Sequence, residues 1–172
     1  MSSCVFPGSF DPFTCGHLDL VERASALFDT VRVTVMLNRS KIGSIPFADR
    51  LCLIRKACAA LPNVVVDSWQ GLLADYIRKY PGSIILRGVR NTAEFENEIR
   101  VADINRRLNP SAETLLMPAS SQWADVSSSA VREIASFGGE IAGLVPDCIA
   151  DDVIKWFCEP SKQIKGGFED GE

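Results

Sequence analysis

The sequence predicts an α/β fold in which helices cover both faces of a parallel sheet. Short apolar runs, some of them rich in β-branched residues, alternate along the chain with stretches of helical periodicity. No internal repeat or linker interrupts this alternation, and 172 residues suit one domain with a full hydrophobic core. We therefore predict one doubly wound domain over residues 1–159, followed by a polar, poorly ordered tail over residues 160–172.

Five short apolar runs are the predicted strands of this sheet. Runs of this length suit parallel strands that are buried on both faces. In chain order they are Cys4–Phe6, Val31–Leu37, Val64–Val66, Ile84–Leu86 and Thr114–Met117. Directly after the first run, Gly8 is expected to let the backbone turn tightly.

Six predicted helices fall between and after the strands. The first starts near His17, and the residues expected on its apolar face are Leu20, Val21, Ala24, Leu27 and Phe28. The others cover Leu51–Leu61, Leu72–Lys79, Thr92–Leu108, Ser128–Phe137 and Cys148–Phe157. Of these, the helix Thr92–Leu108 contains the apolar positions Phe95, Ile99 and Ala102.

Composition and charge argue against several classes of protein. The net charge of −4 and the isoelectric point near 5.1 do not suit a general nucleic-acid surface, which would be basic. No apolar run has membrane length, and no signal peptide is visible, so a cytoplasmic location is expected. The six cysteines form no CxxC pair and do not supply zinc-ligand spacing, so they are interpreted as free thiols.

The stretch Pro7–His17, PGSFDPFTCGH, ends in the only histidine of the chain, at a predicted strand-to-helix junction. A helix N-terminus offers unpaired N–H groups to phosphate, and a histidine there can donate a further hydrogen bond. The alternative is that His17 only caps or packs. A Walker loop, a GxGxxG turn and a GxSxG elbow are all missing from the sequence, which argues against three common classes of site.

Further polar groups follow other predicted strands. Arg87 and Arg90 flank a glycine after the fourth strand, Lys41 follows the second, and a serine run, Ser127–Ser129, starts a helix. Each has an ordinary interpretation as a solvated side chain or a helix cap. In a doubly wound sheet, however, the carboxyl ends of the strands meet at the ligand-binding edge. Together these residues predict a site for a polyphosphate and a second anion.

Three stretches also carry a family resemblance, which runs from Val5 to Phe157. GSFDPFTCGH resembles the (S/T)FDPxTxGH signature of the bacterial phosphopantetheine adenylyltransferases, LRGVRNTAEFENEIRVADINRRL resembles their second signature, and SSSAVRE their third. The resemblance implies a Rossmann-like fold with a five-stranded parallel sheet and C-terminal helices. It further implies that ATP and 4′-phosphopantetheine react to 3′-dephospho-coenzyme A and pyrophosphate with Mg²⁺, in a homohexamer open to feedback binding of coenzyme A.

The resemblance also implies roles for particular residues. His17, Lys41 and Arg90 would be catalytic, with His17 contacting the ATP phosphates and stabilising the transition state. Phosphopantetheine would be held by Ser9, Lys41, Leu73, Arg87 and Asn105. ATP would be held by Ser9, Phe10, His17, Gly88, Val89, Arg90, Glu98, Trp123, Ala124, Asp125, Val126, Ser127, Ser128 and Ser129. No side chain is expected to ligate the metal, because Mg²⁺ would be carried by the ATP phosphates.

Some positions depart from the family pattern. Ser9 stands where many relatives have threonine, and Asn97 stands where relatives often have an aromatic residue. Ala124-Asp125-Val126 replaces the common Ser-Phe-Ile, and Asp125 adds a negative charge beside the expected ATP segment. Two other functions are kept as alternatives: a related nucleotidyltransferase that acts on nicotinate mononucleotide or an alcohol phosphate, and a nucleotide-binding sensor without catalysis.

Overall fold

Five strands form one sheet in the computed structural model, which describes residues 2–37 and 43–158. They are β1 (Ser3–Gly8), β2 (Thr30–Leu37), β3 (Val64–Gln70), β4 (Ile84–Val89) and β5 (Thr114–Pro118). All neighbouring strands run parallel, and their order across the sheet is β3–β2–β1–β4–β5. The predicted doubly wound, Rossmann-like architecture is therefore confirmed.

Helices connect the strands and follow the last of them. Those described are α1 (Cys15–Leu27), α2 (Phe47–Ala57), α3 (Leu73–Lys79), α4 (Thr92–Leu108), α5 (Ser128–Ser136) and α6 (Asp147–Cys158), with a short 3₁₀ turn at Ser121–Trp123. Polar side chains cap three of them: Thr14 before α1, Asn91 before α4 and Ser127 before α5. Along these parts of the chain, no helix is long and apolar enough to cross a membrane.

The sheet separates two hydrophobic clusters. Because successive side chains of a strand point to opposite faces, Cys4 and Phe6 of β1 lie in one cluster and Val5 in the other. The larger cluster contains buried residues of α1, α2, α5 and α6, whereas the smaller one contains Tyr76 and Ile77 of α3. This two-sided burial explains why the strands appear in the sequence as nearly continuous apolar runs.

The turn after β1 differs from the expectation. β1 continues through Pro7 to Gly8, and the left-handed residue is Phe10, with a φ of 46°, not Gly8. Gly8 is needed for space instead, since a Cβ there would come within 2.8 Å of the Phe10 ring. The turn thus places the buried Phe10 ring directly against the strand end, at a conformation that costs a non-glycine residue free energy.

Other boundaries and faces also differ. β4 extends beyond Leu86, so Arg87 and Gly88 lie within the strand and only Arg90 follows it. In α1, Leu20, Val21 and Ala24 are buried as expected, but Leu27 is 64 % exposed and Phe28 lies after the helix. The domain boundary at residue 159 stays a prediction, and the proposed tail lies outside the described residues.

Helix α4 buries polar side chains and exposes apolar ones. Glu98 and Asn105 are its buried residues, whereas Phe95 and Ile99 are 45 % and 41 % exposed. At 100° per residue, Glu94, Glu98 and Asn105 lie on one side of the helix. That side faces β4 and the site described below.

Five cysteines are free thiols: Cys4, Cys15, Cys52, Cys58 and Cys148. Cys4 and Cys58 are buried, whereas Cys52 and Cys148 are exposed. Burial raises the pKa of the Cys4 and Cys58 thiols to about 12, so both stay protonated and poorly nucleophilic at neutral pH.

Candidate active site

A cavity of about 950 Å³ opens at the carboxyl ends of β1 and β4. The strand order reverses between these two strands, which is where doubly wound sheets bind their ligands. The predicted site residues that line it are Ser9, Phe10, His17, Leu73, Arg87, Gly88, Arg90, Glu98, Trp123, Val126, Ser127, Ser128 and Ser129.

Other predicted site residues lie elsewhere. Asn105 and Val89 are buried but do not line the cavity, and neither Ala124 nor Asp125 forms part of its wall. For Asn105, the reason is its position near the C-terminal end of α4, beyond the turns that carry Glu94, Asn97 and Glu98. Lys41 lies outside the described residues, so its predicted role stays a prediction.

His17 is held by its own helix cap. The backbone N–H of Thr14 donates to His17 Nδ1 at 3.0 Å, while Thr14 Oγ1 accepts a hydrogen bond from the backbone N–H of His17. Because a backbone amide can only donate, Nδ1 is unprotonated and the neutral ring carries its proton on Nε2. The ring also stacks on Phe13 and meets Phe10 edge-on. His17 therefore caps α1 and also lines the cavity, while its contact to phosphate stays a prediction.

The surroundings of His17 keep it neutral. Burial, followed by the positive charges of Arg90 and Arg87, lowers the pKa of His17 from 6.5 to about 4. At neutral pH the ring is therefore an uncharged hydrogen-bond donor through Nε2. Such a group can stabilise negative charge on a phosphoryl oxygen without taking up a proton.

We expect the histidine resonances of the unliganded protein to titrate near pH 4, well below the pH of 6.5 that is usual for histidine. NMR of the untagged protein can measure this without an assignment, because His17 is the only histidine. Pyrophosphate added to the same sample should raise the pKa, since the anion offsets the charges of Arg87 and Arg90. An unshifted titration near pH 6.5 would contradict the partly buried, cap-bound ring.

The same shift has a consequence for stability. The unfolded chain takes up a proton on His17 as the pH falls through 6.5, whereas the folded chain does so only near pH 4. Between these pH values only the unfolded chain is protonated at His17. The free energy of unfolding therefore decreases as the pH falls from 6.5 to 4, by up to about 3 kcal/mol. The variant His17→Ala lacks this component, so its stability should fall less steeply over the same range.

Arg87 is fixed by a buried carboxylate. Its Nε and Nη2 donate to the two oxygens of Glu98 at 2.8 and 2.7 Å, and its Nη1 donates to the carbonyl of Pro7 at 2.7 Å. A guanidinium has five N–H donors, so two remain for a ligand. In the structure Glu98 is a partner of Arg87, and both line the cavity; its predicted contact to ATP stays a prediction.

Arg90 is held in the same way by Glu94, which lies in the first turn of α4, one turn before Glu98. Its Nε donates to Glu94 Oε2 at 3.1 Å, its Nη2 donates to Glu94 Oε1, and its Nη1 donates to the carbonyl of Val126 at 3.1 Å. Hydrogen bonds from Arg90 are the main reason that the pKa of Glu94 is lowered. Glu94 was not predicted as a site residue. Its position was visible in the sequence, because Glu94 and Glu98 stand one helical turn apart, as two carboxylates that can pair with Arg90 and Arg87.

The serine run mostly serves the structure. Ser127 Oγ caps α5 by accepting from the N–H of Ala130 at 3.1 Å, and Ser128 Oγ donates to the carbonyl of Pro12 at 2.8 Å. Ser129 Oγ accepts a hydrogen bond from Arg132 Nη2 at 3.0 Å. The cap interpretation of Ser127 is thus confirmed, while the first turn of α5 still forms one wall of the cavity.

The described lining of the cavity is positive within an acidic chain. Four arginines and three carboxylates give it one net positive charge, whereas the whole chain carries −4. Two of these arginines, Arg50 and Arg132, were not predicted as site residues, and neither was Asp11; Asp11 and Arg132 stand within the stretches GSFDPFTCGH and SSSAVRE, but the resemblance assigned them no role. The local charge suits an anionic ligand despite the acidic isoelectric point.

Comparisons with known proteins give the relatives of this chain. A family model described as cytidylyltransferase-like matches residues 5–134. The chain is 44 % identical to the phosphopantetheine adenylyltransferase of Levilactobacillus brevis, over 90 % of this chain and 96 % of the relative. It is 48 % identical to the enzyme of that name from Deinococcus radiodurans, over 84 % of this chain and 87 % of the relative. The chain belongs to the phosphopantetheine adenylyltransferase family.

The fold comparison is consistent with this membership. A putative nicotinate-nucleotide adenylyltransferase from Vibrio parahaemolyticus superposes with a TM-score of 0.62, covering 92 % of this chain and 98 % of that one. At 16 % identity this likeness shows the fold alone. The predicted resemblance and the predicted class of enzyme, a nucleotidyltransferase of the phosphopantetheine adenylyltransferase family, are confirmed by the relatives.

The departures from the phosphopantetheine adenylyltransferase signatures differ in their position. Ser9 and Asn97 line the cavity, so each is placed to affect a ligand. Asp125 does not belong to the cavity wall, so its additional negative charge lies outside the site.

Proposed function

We propose that the protein transfers the adenylyl group of ATP to 4′-phosphopantetheine, giving 3′-dephospho-coenzyme A and pyrophosphate. The observation that carries this proposal is the convergence of neutral His17 with Arg87 and Arg90 in one cavity at the β1–β4 edge. The names of the family members supply the two substrates. The cavity volume of about 950 Å³ is large enough for a nucleotide together with a second ligand.

The proposed reaction is a direct in-line displacement. The acceptor phosphate oxygen forms a bond to the α-phosphorus of ATP while the bond to the pyrophosphate leaving group breaks. Since the nucleophile is already an anion, no strong general base and no covalent enzyme intermediate are required. The enzyme has to align two polyanions and stabilise the charge on the transferred group, which needs cations and N–H donors.

The described residues suit these tasks. His17 Nε2–H would donate to a phosphoryl oxygen of ATP, and the free N–H groups of Arg90 and Arg87 would bind phosphate on either side. Glu94 and Glu98 hold both guanidiniums in place before a ligand arrives. Fixed donors need little reorganisation during the reaction, which is the basis of electrostatic catalysis. Ser9 is proposed to place its hydroxyl near the attacking phosphate.

Mg²⁺ is proposed to enter with ATP. Within residues 2–37 and 43–158, no three histidine, cysteine or acidic side chains converge as a metal site. The carboxylates that line the cavity are bound by arginines or backbone amides. Mg²⁺ often binds through substrate phosphates and water, so this donor set fits an ion held by the triphosphate. When bound, the ion would neutralise charge on the phosphates.

A panel of acceptors tests the proposed function. The purified protein is mixed with ATP and Mg²⁺, and pyrophosphate release is measured with 4′-phosphopantetheine, nicotinate mononucleotide or glycerol 3-phosphate as the acceptor. Of the three acceptors, only 4′-phosphopantetheine is expected to give pyrophosphate release. Release only with another acceptor would overturn the choice of substrate. Binding of ATP and 4′-phosphopantetheine without release would instead favour the non-catalytic sensor.

Assembly into a homohexamer is proposed from the resemblance and is supported by α4. Four exposed apolar residues of this helix flank its buried polar side on both edges: Phe95, Ile99, Ile104 and Leu108. A second copy of the chain covering them would remove this apolar surface from water.

The variant Ile104→Glu should dissociate the assembly, because it places a charge in the covered surface. Light scattering should then give a mass well below that of six chains. Leu27→Glu, at an exposed leucine of α1, serves as the matched control and should keep the wild-type mass. A wild-type protein that is monomeric at all concentrations would contradict the proposed assembly.

Regulation and location stay proposals. Coenzyme A is expected to bind in the cavity as a feedback ligand, because it contains the phosphopantetheine portion of the substrate. Competition between coenzyme A and 4′-phosphopantetheine would test this binding. The cytoplasmic location stays a prediction from the sequence.

A further inference from the structure

Asp11 is a buried carboxylate that joins two loops of the cavity wall. It is only 6 % exposed, yet its Oδ2 accepts from the backbone N–H of Ser44 at 2.8 Å, and its Oδ1 accepts from that of Ile45 at 2.9 Å. Ser44 and Ile45 lie more than thirty residues away in the sequence, in the loop before α2. The two hydrogen bonds therefore fix the backbone of that loop against the turn after β1.

Two arginines flank the same carboxylate. Arg50 Nε lies 3.7 Å from Asp11 Oδ1, and Arg132 Nη1 lies 4.0 Å from Asp11 Oδ2. Both also bind the backbone of the turn, since Arg50 Nη1 donates to the carbonyl of Ser9 at 3.1 Å and Arg132 Nη1 donates to that of Asp11. Their positive charges compensate a carboxylate that would otherwise be costly to bury.

The residues joined in this way form three parts of the cavity wall. Ser9 lies in the turn after β1, Ser44 in the loop before α2, and Arg132 in α5, and all three line the cavity together with Asp11 and Arg50. We propose that Asp11 is a positioning residue, which sets the distance between these three walls through its hydrogen bonds and ion pairs. The effect on catalysis, but not the structural link itself, rests on the proposed function.

The role makes a specific demand on the carboxylate. An amide in place of Asp11 offers only one acceptor oxygen, so one of the N–H groups of Ser44 and Ile45 would lose its partner. It would also leave the charges of Arg50 and Arg132 without their shared counter-charge. The walls would then move apart or rotate without loss of any residue that touches the substrates.

The experiment compares Asp11→Asn with Asp19→Asn. Asp19 is a suitable control because it is a hydrogen-bonded carboxylate of α1 that does not line the cavity. Amide hydrogen exchange is measured by NMR, and kcat and KM are measured for 4′-phosphopantetheine by pyrophosphate release. In Asp11→Asn, the amides of Ser44 and Ile45 should exchange at least about tenfold faster, while those of β2 keep their protection.

The kinetic result separates positioning from mere stability. In Asp11→Asn, kcat/KM should fall about 10²-fold at a temperature where the variant is fully folded, because a displacement of about 1 Å has that effect on aligned reactants. Asp11→Glu keeps the charge at a longer reach, so it should keep more stability than Asp11→Asn without regaining the wild-type kcat/KM. If Asp11→Asn does not fold, Asp11→Glu carries both measurements.

Either of two results would overturn the proposal: unchanged exchange at Ser44 and Ile45, or faster exchange with the wild-type kcat/KM. If the wild-type protein releases no pyrophosphate, the proposed function fails separately. The exchange measurement still decides in that case whether Asp11 holds the loop.

Discussion

Replacing His17 with alanine should lower turnover by about 10²- to 10³-fold, the range observed when one donor to a developing oxyanion is removed. The affinity for ATP should change much less, because the free N–H groups of Arg90 and the first turn of α5 remain. A loss that falls on kcat and not on binding identifies an interaction made mainly in the transition state. Initial rates of pyrophosphate release and calorimetric titration with ATP measure the two quantities.

The dual role of His17 requires a control for stability. The alanine variant also loses the hydrogen bond from the Thr14 N–H to Nδ1, so α1 is capped less well. A lost cap costs about 1 kcal/mol, which a thermal unfolding curve resolves. Turnover is therefore compared at a temperature where both proteins are folded. Turnover within about threefold of wild type would contradict the transition-state role, because a threefold difference in rate corresponds to well under 1 kcal/mol of activation free energy.

The variant Arg87→Ala is expected to have two large effects. Binding of 4′-phosphopantetheine should weaken by about 10²-fold or more, since a charge-assisted contact to phosphate is lost. The free energy of unfolding should also fall by about 3 kcal/mol, because Glu98 would be left buried without a partner. Calorimetric titration and chemical denaturation measure the two effects.

A second variant separates binding from stability. The double variant Arg87→Ala/Glu98→Gln removes the unpaired charge, so it should regain part of the stability but none of the affinity. Arg100→Ala is the matched control, because it breaks an exposed ion pair with Glu96 on the same helix. Such pairs contribute little, so neither quantity should change. Unchanged phosphopantetheine binding in Arg87→Ala would reject the proposed role of this arginine.

The fold could be predicted because local patterns determine most of it. Runs such as Val31–Leu37 are apolar and β-branched, and the helix Thr92–Leu108 has the predicted bounds. The predicted end of a strand was wrong where that strand continues into the site. Arg87 and Gly88 belong to β4 although they interrupt its apolar pattern, because the strand end forms a wall of the cavity.

The site was only partly predictable, for a physical reason. Residues that follow strand ends, such as His17 and Arg90, can be found from the sheet rule alone. The polar side of α4 could not be found by that rule, because amphipathic patterns assume that apolar residues face inward, whereas Glu98 binds Arg87 and Glu94 binds Arg90. Asp11 and Arg132 also escaped, since they are 121 positions apart and only the folded chain brings them together.

The walls of the cavity are joined by hydrogen bonds between residues that are far apart in the sequence. The hydrogen bond from Arg87 to Pro7 spans 80 positions, and that from Ser128 to Pro12 spans 116. Loops of this length must close before such contacts can form, so the complete cavity requires nearly complete folding, and a fragment ending before α5 would lack the wall that α5 forms. Because a ligand of this cavity binds only the folded chain, its occupancy raises the melting temperature of the entire domain, and thermal shift becomes a general screen for ligands.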